Sequence, residues 1–283
     1  MSGHRPVALV TGASRGIGRC SAVALAERGF NVVISARTVR EGDARVETER
    51  GPVTLPGSLE STAEAVAAAG GTAHQVAMDL LDRASVDALA VEAVERWGHL
   101  DVLVNNAIYQ GTGPMERLLD LRIEDADAMV RADYLHQLAL IQGVLPHMLD
   151  RGTGCVINMS SGSAHLDPPA PAGEGGWGVG YAAAKAAFTR VAPVIHVEFA
   201  SRGIRAYNVD PGFVVNERMR VTAAEGQFTE AGFQGVPPEV PAAAIAWLAV
   251  DPAAAELAGT LVFAQRLAKE HELVPGWPPP RRR

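Results

Sequence analysis

Lysine is almost missing from this chain of 283 residues. Of its 25 basic residues only Lys185 and Lys269 are lysine, and arginine supplies the rest. Arginine therefore does the generic surface work. A retained lysine draws attention, because a compact, titratable ammonium is not interchangeable with a guanidinium. Cysteine is equally scarce. Cys20 and Cys155 have no metal-type spacing, which argues against a disulfide framework or zinc site and fits a reducing, cytoplasmic setting. His136, His147, His165 and His196 show no metal spacing either and read as solvated or core histidines, so no metal is expected. Long apolar runs are also lacking. Stretches such as 242–250 fall far short of the roughly 20 residues of a membrane span. No targeting pattern is expected before the first strand-like run, Val7 to Val10. Basic excess is absent: the net charge of -7 argues against nucleic acid as partner.

What is there is ordinary for a globular protein, with 48% hydrophobic and 20% charged residues. Short apolar runs alternate with helical ones. Strands are expected near 7–10, 32–34, 73–78, 102–104, 155–159, 204–209 and 260–264. Helices are expected near 19–28, 61–69, 85–97, 125–150, 180–202 and 242–249. The alternation with near-continuous apolar strands implies an α/β fold, a Rossmann-type doubly wound parallel sheet of about seven strands. No composition break divides the chain, so residues 1–274 form one domain and 275–283 a loose tail. Two stretches look inserted. One runs from 39 to 59, charged and carrying Pro52 and Pro56; the other, 162–180, is dense in Gly and Pro.

The first strand runs into Thr11-Gly12-Ala13-Ser14-Arg15-Gly16-Ile17-Gly18, and a helix follows. A dinucleotide pyrophosphate needs this setting: glycines let backbone approach phosphate, and the helix start offers free N–H groups. Gly12, Ser14, Arg15, Gly16, Ile17 and Gly18 are therefore candidate cofactor contacts. An acidic residue that binds ribose hydroxyls would end the second strand. Here Arg37 stands at that end. A carboxylate would repel a 2′-phosphate and an arginine would pair with it. Arg37, with Arg15 as a second contact, points to NADP rather than NAD.

Tyr181 and Lys185 lie four residues apart at a helix start, so phenol and ammonium share one face. With four tyrosines and two lysines in the chain, such a pair arises by chance only about 3% of the time. Acid–base work near neutral pH asks a phenol of pKa near 10 to fall by about 3 units. A cation about 4 Å away provides interaction of that order.

These motifs together resemble the short-chain dehydrogenase/reductase family over about residues 6 to 264. The glycine turn matches, as do Asp79 with Leu80 after the third strand and Asn105-Asn106-Ala107 after the fourth. So do Ser160-Ser161 after the fifth, Tyr181 with Lys185, and Pro211-Gly212 after the sixth. The resemblance implies roles. Tyr181 would be the general acid/base, Lys185 would lower its pKa and hold the nicotinamide ribose, and Ser161 would hydrogen-bond the substrate oxygen. Asp79, Leu80, Asn105, Ala107, Pro211, Gly212 and Val214 would contact the cofactor. Hydride would pass between the nicotinamide and a ketone or secondary alcohol. The family also implies a homodimer or homotetramer, with the helix after Tyr181 as a subunit contact. Pro193 should kink that helix.

The chain departs from the family pattern in several places. Asp133 stands where the family has a catalytic asparagine, and its carboxylate would offset part of the field on Tyr181. Ile108 replaces a glycine, and Asn216 a threonine. The long segment between Ser161 and Tyr181 reads as substrate wall, with Trp177 as a stacking or lid residue. Met219, Phe228 and Phe233 suggest an apolar substrate wall and thus an apolar carbonyl or alcohol substrate. The 39–59 insertion resembles a segment of some hydroxysteroid-dehydrogenase-like members and should act on cofactor binding. Two other readings stay open: a non-catalytic NADP-binding sensor or scaffold, and an epimerase or dehydratase with retained nicotinamide.

Overall fold

The computed structural model describes residues 5–48, 51–222 and 235–278. Seven strands form one sheet in the spatial order β5-β2-β1-β6-β7-β8-β9. In chain order these are β1 (Val7–Thr11), β2 (Asn31–Ala36), β5 (Ala73–Ala77), β6 (Val102–Asn105), β7 (Gly154–Met159), β8 (Ile204–Asp210) and β9 (Leu261–Phe263). Every neighbouring pair is parallel. The sheet is thus the expected doubly wound one, and its strand positions follow the apolar runs.

Both faces of the sheet are buried, which is why the strands read as continuous apolar stretches. On one face Ala8, Val10, Val32, Ile34 and Val104 join one apolar cluster. There they meet α1 (Gly16–Glu27), α2 (Leu59–Ala68) and α9 (Glu239–Val250) through Leu25, Val66 and Ile245. On the other, Val7, Leu9, Val33, Leu103 and Val156 meet α3 (Arg83–Glu95), α5 (Gln137–Arg151) and α6 (Val179–Thr189) through Leu89, Leu140 and Phe188.

Three local features depart from the expected pattern. The 39–59 insertion contains an antiparallel hairpin, β3 (Arg45–Thr48) and β4 (Gly51–Thr54). The long helix expected over 125–150 is interrupted: α4 (Ile123–Val130) passes into a π-helical turn, Arg131–His136, before α5. Such turns insert one residue and re-aim its neighbours. The helix after Tyr181 breaks after Thr189 and resumes as α7 (Val191–Phe199), with Pro193 in its first turn, where a missing N–H costs little. The short helices α8 (Glu217–Thr222) and α10 (Ala264–Glu270) complete the fold. Among the described residues no helix is long and apolar enough to cross a membrane. Phe228, Phe233 and residues 279–283 of the expected tail lie outside the described residues.

Candidate active site

A groove of about 910 Å³ runs along the C-terminal ends of the strands. Doubly wound sheets bind ligands at this edge, where loops from either side of the strand-order reversal diverge. Gly12, Ser14, Arg15, Gly16, Ile17, Arg37, Asp79, Leu80, Ala107, Tyr181, Lys185, Pro211, Gly212 and Val214 all line it. Residues distant in the chain but matched in the motif thus share one cavity.

The glycine turn is held by the loop after β6. Thr11 Oγ1 accepts from the amides of Asn106 and Ala107, both at 3.0 Å. Asn106 Nδ2 donates back to Thr11 O at 2.9 Å. A Cβ at Gly12 would meet Ala107 Cα at 2.9 Å, and one at Gly18 would meet Gly12 O at 2.3 Å. Neither glycine has room for a side chain of its own, because the Ala107 backbone, the Asn106 side chain and the Gly12 carbonyl already fill that space. The donor-rich start of α1 and this close-packed turn fit a dinucleotide pyrophosphate. Gly18 supports the turn from behind, and it is absent from the groove wall.

Asn105 was expected among the cofactor contacts, but its side chain does not face the groove. It is buried in the sheet and donates to Asn158 Oδ1 at 3.0 Å, while Asn106 faces outward. The alternation of a strand end puts only one of two successive asparagines on the open side. Arg15 is also engaged differently from expectation. Its guanidinium donates to Pro56 O at 3.0 Å, Gly57 O at 2.8 Å and Thr38 Oγ1 at 3.4 Å. It pins the inserted segment to the turn. Arg37 stays exposed at the groove edge, 3.9 Å from Asp79. The hairpin residues Asp43 to Glu47 line the same end of the groove, where the insertion was expected to act.

Tyr181 and Lys185 emerge from α6 on one face. Lys185 is 1% exposed and its Nζ donates to Met159 O at 3.0 Å. Burial lowers its pKa and Asp133 partly restores it. The Tyr181 phenol is pushed above its ordinary value by burial; a hydrogen bond with Ser161 pulls it down, and Asp133 and Asp210 push it up. The net shift is thus opposite to the lowering expected from Lys185: burial is the largest influence on the phenol, and the ammonium donates to the Met159 carbonyl. Ser161 hydrogen-bonds the Tyr181 phenol and accepts from the amide and hydroxyl of Ser163 at 3.3 and 3.1 Å. Ser160 is the serine that lines the groove.

Asp133 is fully buried on the π-helical turn. Its Oδ1 accepts from the Tyr109 amide at 2.6 Å, and Oδ2 has no hydrogen-bond partner. Burial raises its pKa, against Lys185 and the Tyr109 amide. The orphaned oxygen makes Asp133→Asn informative. Removing the carboxylate frees both Tyr181 and Lys185 from its upward push, so the pH optimum should move down while activity is kept or rises. A carboxylate whose folded pKa is raised costs stability at every pH above the ordinary carboxylate range. Asp133→Asn should therefore raise the melting temperature more at pH 7 than at pH 4. Kinetic pH profiles and thermal melts check both; a large loss of activity would refute the reading.

Two residues here were not anticipated. Asp210 ends β8, is buried, and accepts from Gly212 N at 2.8 Å, fixing the Pro211-Gly212 turn. His165, read from sequence as solvated or core, lies 3.7 Å from Asp210 and packs edge-on against Phe263. It ties the segment after Ser161 to that turn. Trp177, expected on the substrate wall, does not line the groove; its neighbour Gly178 donates to Pro114 O at 3.0 Å. Ile108, Tyr109, Phe213, Asn216 and Arg218 line it instead.

This chain matches the model of the short chain dehydrogenase family over residues 6–51 and 53–227. It belongs to that family. It is similar to a 3-oxoacyl-[acyl-carrier-protein] reductase from Synechocystis, 34% identical over 89% of this chain and 92% of that protein. A 3beta-hydroxysteroid dehydrogenase 1 from Eggerthella lenta is 31% identical, covering 90% of each. Among solved structures, acetoin dehydrogenase from Enterobacter cloacae superposes with a TM-score of 0.72 at 25% identity, over 92% of this chain and 94% of that one. Membership in the short-chain dehydrogenase family makes the chain an oxidoreductase of the CH–OH/C=O class.

Proposed function

We propose that this protein is an NADP(H)-dependent reductase of ketones, working reversibly on secondary alcohols. The convergence of Tyr181 and Lys185 on the groove that begins at the glycine turn carries the reading. The turn and the start of α1 would hold the pyrophosphate, Arg37 the 2′-phosphate, Asp79 and Leu80 the adenine, and Lys185 and Val214 the nicotinamide riboside. NADPH, when bound, supplies the hydride to the carbonyl carbon.

Tyr181 gives its phenolic proton to the carbonyl oxygen as that oxygen gains charge, and Ser161 steadies the phenol. A phenol held above its ordinary pKa is fully protonated at neutral pH, which suits it as the acid of a reduction. Ile108, Phe213 and Val214 offer an apolar wall and exclude water from the reacting carbonyl. Relatives named as reductases of 3-oxoacyl groups and dehydrogenases of a 3beta-hydroxysteroid support a ketone or secondary alcohol as substrate class.

Arg37 supports NADPH over NADH. Arg15 is already engaged with Pro56 and Gly57, so Arg37 rather than Arg15 is open to a 2′-phosphate. NADPH should bind at least about tenfold more tightly than NADH, a gap of about 1.4 kcal/mol, and Arg37→Glu should close it. Titration of both cofactors measures this, and equal affinities for the wild-type chain would reject it. Incubation with NADPH and a panel of ketones tests turnover. Tight NADPH binding with no carbonyl reduced would favour the sensor or scaffold reading instead.

A further inference from the structure

We propose that Glu217 sets dinucleotide affinity: its carboxylate occupies the phosphate seat of the glycine turn and must yield it to the cofactor. The inference rests on the reading of the groove as a dinucleotide site.

The first amides of α1 have no partners inside the helix and lie at its positive end. Arg15, at the N-cap, makes no side-chain capping bond to them. The amide of Gly16 donates instead to Glu217 Oε1 at 3.2 Å, across 201 residues of chain. Glu217 Oε2 is buried with no hydrogen-bond partner, 3.6 Å from where a Cβ on Gly16 would stand. One oxygen thus fills an anion seat and the other is stranded beside it. The Arg15 guanidinium attracts this half-buried carboxylate, but its second oxygen makes no hydrogen bond, so a ligand that satisfies the amide better can displace it.

The segment carrying Glu217 spans the groove. Asn216 Oδ1 accepts from Met219 N at 2.9 Å and starts α8. Arg218 Nη1 donates to Gln110 O at 3.3 Å and Gln110 Oε1 at 2.8 Å, on the loop that follows β6. β3 of the inserted hairpin approaches α8 from the adenosine end. Residues 216–218 therefore form a latch from the phosphate seat to the opposite wall. A pyrophosphate and a carboxylate cannot share one amide, because their charges repel at contact distance. Part of the cofactor's binding energy is spent on opening the latch, and a chain without the carboxylate avoids that cost.

Calorimetric titration of the full chain with NADPH, and separately with inorganic pyrophosphate, tests this. Glu217→Gln should bind each at least about fivefold more tightly than wild type. Glu217→Asp, which keeps the charge, should stay within about twofold of wild type. A residue that only supports α8 would weaken binding in both variants. Equal or weaker binding of both probes by Glu217→Gln would overturn the proposal. If pyrophosphate binds more tightly to Glu217→Gln while NADPH binds no form of the chain, the latch stands and the dinucleotide reading falls.

Discussion

Replacing Tyr181 by Phe should lower the rate of carbonyl reduction by about 10³-fold, or about 4 kcal/mol of transition-state stabilisation. The substitution removes one oxygen from a residue that lines the groove and leaves the ring packed on α6. NADPH affinity should change by no more than a few-fold, since the phosphate-binding end lies at the other side of the cavity. The combination separates loss of the proton donor from loss of the site. Steady-state rates beside a binding titration make the test, and retention of more than a tenth of wild-type activity would remove Tyr181 from its role. The phenol's raised pKa sets the pH dependence. Reduction needs the protonated form and should hold through neutral pH, failing only as the phenol ionises at alkaline pH.

The second large effect is at Lys185. Arginine supplies all but two of the 25 basic residues, so Lys185→Arg looks conservative by composition. It should nevertheless reduce activity by about 10²-fold or more. The side chain is buried, and its ammonium donates to one carbonyl, that of Met159. A guanidinium brings five donors into that space. Each donor left without a partner costs about 1–3 kcal/mol, so the arginine variant should also be less stable by about 3 kcal/mol. Lys185→Met should lose activity as well, but not stability. Burial lowers the folded pKa of Lys185, so the ammonium costs stability wherever an unfolded lysine is still protonated. That cost fades as pH rises from the lowered folded value through the ordinary lysine value. The Met variant's melting temperature should therefore match or exceed wild type at pH 7, and its advantage should shrink at high pH. Equal activity of the arginine variant would refute the argument.

Much of this site was legible because its chemistry is local. Thr11 to Gly18 and the Tyr181–Lys185 pair are each set by one turn or one helical step, and chain spacing alone places them. The strands were legible because both sheet faces are buried, leaving apolar runs such as Val7 to Val10. The π-helical turn at Asp133 was hidden, since its one-residue insertion leaves composition unchanged. The β3–β4 hairpin was obscured by Pro52 and by charged residues on an exposed strand. Asn105 and Asn106 could be told apart only by strand register. The contacts of Arg15 with Pro56, His165 with Asp210 and Glu217 with Gly16 join residues far apart in the chain, and no local pattern announces them. An Asp directly before Pro211-Gly212 was the one available signal for the second.

The strand order β5-β2-β1-β6-β7-β8-β9 has a consequence for how the molecule assembles. It consists of two runs, each laid down outward in chain order, and in the sheet they meet only where β1 pairs with β6. That pairing matches Ala8 with Val102 and Val10 with Val104, across more than 90 residues. Closing so long a loop is entropically slow, so this seam should be a late and costly step of folding. The hydrogen bonds between Thr11 and Asn106 sit at the end of the same seam. A ligand seated in the groove would touch both runs at once and act as a rivet across the one seam where their strands meet.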